Sequence, residues 1–574
     1  MKLKYTLILL LILFFSYNHH IFAQEKGVEE IAQSKNQWTG IAVSKAGRLF
    51  VNFPRWSDNV PISVGVIEEG KVIPFPNKRW NRGKSKKSFV AVQSVFIDRK
   101  DRLWVLDTRN PQFKGVIKGG PILFCFDSKK GIFHKAYHFP ESVYFEDSYF
   151  NDVRIDEDRG FAFITDSGHG GIIVLNLRTE ESRRLLSDDP SVKSEENFLV
   201  CNHKVWKNSV DSDGIALTPD RQYLYYIALT SHTLYRIKTE DLLDITLPDY
   251  MLAKKVERVA SVPATDGMLF DPSGNLWMGG LEENAINMWS PKLKTLYRVF
   301  KDPSIRWADS FTIDHNGDIY FTTSQIYLPE GERKEYGAFK FNYRNLPKKE
   351  ALNKVLIAIT SHGSLGESSG DTTGYYLSEV SHAYFAFRDA GFDVTFVSPK
   401  GGESPLTGRD IEDSDNLLFL TDPEAQKAVK NSLKASEVNP DNYRAIYFAG
   451  GHGVMWDFPS DSSLQRISRN IYETGGVVSA VCHGPAALIN VMLSDGSYLI
   501  NGKSVSTFTN SEEKAIKLDT IVPFPLETAL QDNGAQIKKT DNFKSFAVVD
   551  GRLVTGQNPA SARKVAFKVI KLLK

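Results

Sequence analysis

Six segments of this chain repeat one pattern, and that repetition restricts the fold more than any other feature. GIAVSKAGRLFVNF (from Gly40), VFIDRKDRLWVLDT (from Val95) and VRIDEDRGFAFITD (from Val153) each run an alternating apolar strand through a polar turn into an aromatic-rich strand. IALTPDRQYLYYIA (from Ile215), MLFDPSGNLWMGGL (from Met268) and FTIDHNGDIYFTTS (from Phe311) do the same. Period-two alternation on both sides of an Asp- or Gly-bearing turn is the signature of a β-hairpin. Successive copies start 43 to 62 residues apart, the length of one four-stranded propeller blade. Shorter runs such as GIIVLNL (from Gly171) and HTLYRI (from His232) supply further strands between them. Six blades account for residues 30–345. A β-sandwich offers no reason for a sixfold repeat.

After Leu346-Pro347-Lys348-Lys349-Glu350 the pattern changes. Val- and Ile-rich strands now alternate with helical stretches: KVLIAIT (from Lys354), a helix near 376–389, DVTFVSP (from Asp393), a helix near 425–433, AIYFAGG (from Ala445), a helix near 464–474, and VVSAVCHG (from Val477). Apolar strands between helices mean a parallel sheet covered on both faces. Residues 346–351 read as a linker, and 352–574 as a doubly wound, flavodoxin-like α/β domain whose ligand sits at the carboxyl ends of its strands.

Composition excludes other classes. Of 574 residues 42% are apolar, too many for a disordered chain. With 70 Lys and Arg against 69 Asp and Glu, the net charge of +1 supports neither nucleic acid nor an anionic membrane as partner. Three cysteines, Cys125, Cys201 and Cys482, cannot form a disulfide framework, although a bond between the first two stays open. At the N-terminus, Lys2 and Lys4 precede the apolar run Leu7–Phe15, and Ala23-Gln24 offers a small-residue exit. This reads as a secretory signal over 1–23, cleaved after Ala23, and a periplasmic or secreted mature protein. The apolar run is too short to span a bilayer.

The most informative stretch is Val477-Val478-Ser479-Ala480-Val481-Cys482-His483-Gly484-Pro485. A strand runs into Cys-His-Gly, and Pro485-Ala486-Ala487-Leu488 opens a helix, which is the layout of a nucleophile elbow. A helix N-terminus favours thiolate over thiol, so a thiol pKa below neutral is expected there. Phe448-Ala449-Gly450-Gly451-His452-Gly453 ends the preceding strand, where the bare backbone of Gly450 and Gly451 can approach a ligand. Gly450, Gly451 and His483 are therefore the oxyanion and substrate-binding candidates, with the N–H groups of Gly451 and His483 as the oxyanion hole. Glu379 lies on the first helix of the domain, either facing solvent or aimed at the thiol.

The ordered stretches GYYLSEVSHAYFAFRDAGFDVTFVSPKGG, YFAGGHGVMWDFP, VSAVCHGPAAL, FTNSEE and DGRLVTGQNPASA closely resemble the ThiJ/PfpI superfamily over residues 352–574. Within that glutamine amidotransferase-like superfamily they match the glutathione-independent glyoxalase and stress-chaperone branch. The resemblance implies that Cys482, His483 and Glu379 carry catalysis and that Glu513, with Glu512 as runner-up, is the third acid. It further implies a small α-oxoaldehyde such as methylglyoxal as substrate, a 2-hydroxy acid as product, and no cofactor in this domain. A homodimer is left open. The alternatives are a stress-related holding chaperone with a redox-active thiol, a peptidase- or amidase-like hydrolase, and a lactonase acting from the propeller.

For the propeller, Asn151, Asp152, Asp213 and Asp266 each lie just before a blade's innermost strand, where they can converge on the axis. Oxygen ligands grouped that way suit Ca²⁺ or another hard divalent cation, with Asn151, Asp213 and Asp266 as its ligands. Asp-Gly before a strand is also an ordinary turn. YFNDVRID, ITDSGHGGIIVLNL and DGIALTPDRQYLYY resemble the major royal jelly protein/Yellow family. The DG-strand pairs also resemble gluconolactonase-like propellers, whose metal takes one acid from an early blade. Here that place reads Trp38-Thr39-Gly40-Ile41, without an acid. His169 and His203 are further candidates for the channel, while Trp104, Trp277 and Trp307 read as core.

Overall fold

The structure, a computed structural model, describes residues 27–82, 88–346, 350–366 and 371–574. The leader assigned to 1–23 lies outside the described residues, as do 347–349 of the linker. Six antiparallel sheets succeed one another from Glu29 to Asn342, and they form the six-bladed propeller. Each repeat supplies the inner hairpin of a blade, as Val92–Ile97 paired to Arg102–Asp107 illustrates. The ring closes between its ends: Glu29–Ser34 pairs antiparallel with Tyr336–Asn342 and completes the sixth blade. Trp38, Trp104, Trp277, Trp289 and Trp307 are fully buried, as expected where apolar faces of neighbouring blades pack.

Innermost strands share a second feature. Their ladders slip at Val92/Ser94, Phe150/Val153, Ser212/Gly214 and Ala308/Phe311. A bulge inserts an unpaired residue and re-aims its side chain. Here the bulged positions hold Gln93, Asn151, Asp152, Asp213, Asp309 and Ser310.

The second domain is a seven-stranded sheet in which six strands are parallel and Ala547–Asp550 at one edge is antiparallel. Lys354–Ala358, Ala445–Phe448 and Val477–Val481 are adjacent in its centre and buried throughout except at Lys354, because helices cover both faces. Helices Leu377–Asp389 and Ala562–Leu573 lie on one face, and Ser462–Glu473 on the other. Of the residues read as a linker, the last two are part of the propeller. Glu350–Ala351 adds a fifth strand to the fifth blade.

The domains are joined by buried polar contacts as well. Arg552 reaches Glu195 at 3.5 Å and Glu196 at 3.3 Å, and Arg444 donates to Ser261 O at 3.0 Å. Ser261 Oγ donates to Gly475 O at 3.0 Å. Arg444 directly precedes the central strand Ala445–Phe448, and Gly475 lies two residues before Val477–Val481. The two strands that lead to the predicted site are therefore footed on the propeller. All three cysteines are free and buried, so Cys125 and Cys201 are not paired.

Candidate active site

The strand Val477–Val481 delivers Cys482 at φ +59°, a left-handed conformation that is strained for a side chain with a Cβ. Hydrogen bonds on both sides hold it there: Cys482 N–H donates to Gly556 O at 3.0 Å, while Cys482 O accepts from Phe508 N–H at 2.8 Å and Thr507 Oγ1 at 3.0 Å. Glycine is obligatory at 484, where a Cβ would lie 2.3 Å from Phe448 O. The chain then enters a five-residue 3₁₀ turn, Gly484–Leu488, rather than an α-helix.

Glu379 enters from the first turn of Leu377–Asp389 and is fully buried. Its Oε2 accepts from Gly450 N–H at 2.6 Å. Its Oε1 makes no hydrogen bond of full geometry, and the Cys482 thiol is the side chain that interacts with the carboxyl. Burial pushes Glu379 up to about 8, so the carboxyl is protonated at neutral pH. Burial, and then the charge of Glu379, push the Cys482 thiol well above its ordinary value. This overturns the expected low thiol pKa. The sequence shows an elbow, but neither the complete burial of the thiol nor the shortness of the turn behind it.

His483 holds the other side of the thiol. Its Nδ1 is 3.3 Å from Cys482 Sγ, and its Nε2 is 2.8 Å from Glu513 Oε2. Burial, followed by the neighbouring His452, pushes His483 down to about 4, leaving a neutral imidazole. Burial would raise Glu513, but bonds from His452 and His483 hold it at about 2. Glu513 sits on Asn510–Ala515, whose N-cap Thr509 forms a capping box with Glu512. Glu512 is thereby committed to structure, accepting also from Phe543 N–H at 2.7 Å and Asn558 Nδ2 at 2.8 Å.

Of the oxyanion candidates, Gly450 N–H is taken by Glu379, and Gly451, at φ +93°, has no acceptor for its N–H among the described residues. His483 N–H faces the Cys482 sulfur. His452 was missed as a site residue: its Nε2 is 2.8 Å from Glu513 Oε1, and its ring centroid is 4.1 Å from that of His483. The signal was its place in Gly450-Gly451-His452-Gly453. His452, His483 and Glu513 have ligand atoms within 4.8 Å of one another, the spacing of a metal triad, but both Nε2 atoms are already bonded to Glu513.

In the propeller, Asn151, Asp213 and Asp266 do come together, on the lining of an axial cavity of about 660 Å³. Asn151 Nδ2 donates to Asp213 Oδ2, and Trp307 Nε1 donates to Asp266 Oδ2 at 2.7 Å. Burial first, then Asp309 for Asp213 and Asp213 for Asp266, push both carboxyls well above the carboxylate range. Asp309 was missed, although it stands two residues before its repeat at Phe311 just as Asp213 and Asp266 stand two before Ile215 and Met268; in the structure Asp309 and Asp213 lie within the bulged inner strands. Trp307 is both core and cavity wall. Asp152 is not part of this group, being paired with Arg154 at 2.9 Å and lining the opening at the other end of the channel. His169 pairs with Asp147 at 3.0 Å, and His203 is an exposed turn residue, so neither lines the cavity.

A thiol on a strained strand end, between a buried carboxyl and an imidazole–carboxylate pair, is the layout of a nucleophile elbow in a doubly wound α/β domain. Residues 372–572 match the DJ-1/PfpI family, and residues 90–356 match Major royal jelly protein. The glutathione-independent glyoxalase HSP31 of Saccharomyces cerevisiae is 36% identical over 239 residues, covering 39% of this chain and 99% of that protein. Glyoxalase 3 of Candida albicans is 36% identical over 234 residues, covering 38% and 97%. Among solved structures, Rapid Encystment Protein 24 KDa of Francisella tularensis is 39% identical over 39% of this chain and 99% of that one, with a TM-score of 0.38. Through its C-terminal domain the chain belongs to the DJ-1/PfpI family.

Proposed function

We propose that the C-terminal domain is a glutathione-independent glyoxalase that converts methylglyoxal or a similar α-oxoaldehyde to a 2-hydroxy acid. The observation that carries this reading is the convergence of Glu379, Cys482 and His483 on one sulfur. As Cys482 Sγ adds to the aldehyde carbon, its proton passes to His483 Nδ1, and protonated Glu379 delivers its own proton to the carbonyl oxygen. The product is a hemithioacetal. Glu379, now a carboxylate, takes the proton from that carbon, and the bond's electrons form a C=C bond as the ketone oxygen collects the proton held by His483. This enediol collapses when Glu379 returns its proton to the second carbon and the first hydroxyl gives its proton to His483. Water then attacks the thioester carbonyl, giving a proton to the Glu379 carboxylate, and the departing sulfur takes the proton held by His483, which releases the 2-hydroxy acid and restores the thiol, protonated Glu379 and neutral His483. Gly451 N–H is the donor to the developing oxyanion.

This reading includes export after cleavage behind Ala23, which N-terminal sequencing of the protein from its host tests. The propeller's axial cavity is read as a small-molecule or divalent-cation site held by Asp213, Asp266 and Asn151. Two buried carboxyls in contact suit a shared proton or a cation, and Asn151 would turn its amide oxygen inward to ligate. A lactonase reading is weaker, because Thr39 and Asn52 fill the early-blade position, bonded to each other at 2.9 Å. The activity is tested by incubating the purified full chain with methylglyoxal in the absence of glutathione. Lactate formation supports the reading, and no turnover above the buffer control overturns it.

A further inference from the structure

We propose that His452 is a positioning residue of this site: by donating Nε2–H to Glu513 Oε1, it fixes the carboxylate that orients the His483 ring against Cys482. The assignment rests on the glyoxalase reading for its kinetic consequences only. Its geometric basis stands apart from the substrate.

Both oxygens of Glu513 are engaged by imidazoles, His452 at 2.8 Å on Oε1 and His483 at 2.8 Å on Oε2. An ionised carboxylate is acceptor-only, so each of these nitrogens carries a proton. For His483 that fixes the tautomer. Its Nδ1 is then a lone pair, and it is this atom that lies 3.3 Å from Sγ. A carboxylate bonded through one oxygen can rotate about its last bond, whereas one held at both cannot. His452 supplies the second hold.

Its backbone is prepared for the task. Gly451 takes φ +93°, where a Cβ would fall 2.2 Å from Gly374 O, and at Gly453 a Cβ would fall 2.7 Å from His362 O. The turn thus presents one side chain between two residues that have none. The ring packs 4.1 Å from His483, and Phe508 packs against both rings, 4.6 Å from His483 and 6.3 Å from His452. The titratable groups facing His483 are Cys482, Glu513, Glu512 and His452, and of these only His452 lowers its proton affinity. A simple surface ion pair would contribute little. This one is different, since the Glu513 side chain is only 10% exposed.

Two variants of the full chain test the assignment, His452→Leu and His452→Gln, the second retaining an amide donor near the Nε2 position. Two readouts are used: steady-state methylglyoxal kinetics, and ¹⁵N NMR titration of the His483 ring. For His452→Leu, kcat falls about 10- to 100-fold, the effect of one charged hydrogen bond, with KM little changed. The His483 titration also moves up from its native position. For His452→Gln, kcat recovers to within about fivefold of wild type and the Nε2–H tautomer persists. Wild-type kcat with an unmoved His483 titration in His452→Leu overturns the proposal. So does a Gln variant as impaired as the Leu variant while its His483 tautomer is native, because His452 would then act on substrate itself. Should the wild-type chain make no lactate, the glyoxalase reading fails, and the His483 titration still decides the role of His452.

Discussion

Replacing Glu379 by Gln is expected to stabilise the protein at neutral pH while removing its activity. Glu379 is fully buried, and its carboxyl is pushed up to about 8 by that burial. In the unfolded chain a Glu carboxyl has a pKa of about 4.3. The folded state therefore binds this proton more tightly than the unfolded one. The contribution is complete below about pH 4 and is lost as pH rises toward 8. Each unit of pH between those limits removes about 1.4 kcal/mol, so about 3 kcal/mol is lost between pH 5 and pH 7.5. Gln keeps the shape, stays neutral throughout, and its carbonyl still accepts from Gly450 N–H. Urea unfolding of both proteins at the two pH values measures the difference. Asp457 and Glu473, also pushed up by burial to about 6 and about 7, occur in both proteins and cancel. The variant is expected to be about 1 kcal/mol more stable than the wild type at pH 5 and about 4 kcal/mol more stable at pH 7.5, a change of about 3 kcal/mol. A pH-independent offset would show that Glu379 is ionised in the folded protein, and would refute the reasoning.

In the wild type, kcat/KM is expected to fall on the alkaline side near pH 8 as Glu379 loses the proton it must donate; a profile flat to pH 9.5 contradicts this. Glu379→Gln should cost about 10²–10⁴-fold in turnover, and adding Glu379→Gln to Cys482→Ser should cost little more than Cys482→Ser alone, since members of one catalytic unit do not act additively. Ca²⁺ at 100 times its dissociation constant should stabilise the chain by about 2.7 kcal/mol, and Asp213→Asn should abolish the effect; no Ca²⁺-dependent melting shift would leave the axial acids without a cation. Arg552→Met removes the cation that faces Glu195 and Glu196 at the domain interface and should destabilise by about 3 kcal/mol, splitting calorimetric melting into two transitions; one unshifted transition would mean the contact does not couple the domains.

Hairpin alternation made the blades legible, because each repeat carries its own register and turn. Ring closure was not legible. The strand Glu29–Ser34 has no alternating pattern, and its partner Tyr336–Asn342 lies some 300 residues away. The hairpin Phe198–Cys201 with Lys204–Lys207 likewise escaped, since it belongs to no blade, and Phe198 packs into the core of the α/β domain. In the site, Cys482 and His483 were readable as a strand running into Cys-His-Gly. Glu379 and Glu513 came from resemblance, because local sequence cannot say which glutamate of a helix points inward. Thr509 and Glu512 show why: the capping box uses one of two adjacent glutamates and frees the other. The direction of the thiol's pKa was misread, because it depends on burial by residues distant in sequence. The bulges that turn Asn151 and Asp213 toward the axis arise from strand pairing, which composition does not display.

The central claim is that Cys482 is the nucleophile of a cofactor-free glyoxalase, and lactate production by purified Cys482→Ser tests it most directly. Serine nearly preserves the shape of the side chain, so the fold survives, yet a hydroxyl is a far weaker nucleophile at neutral pH. Wild-type protein is expected to convert methylglyoxal to lactate without glutathione or added metal, and Cys482→Ser, folded by circular dichroism, to yield none above background. Lactate production by Cys482→Ser at the wild-type rate would contradict the claim.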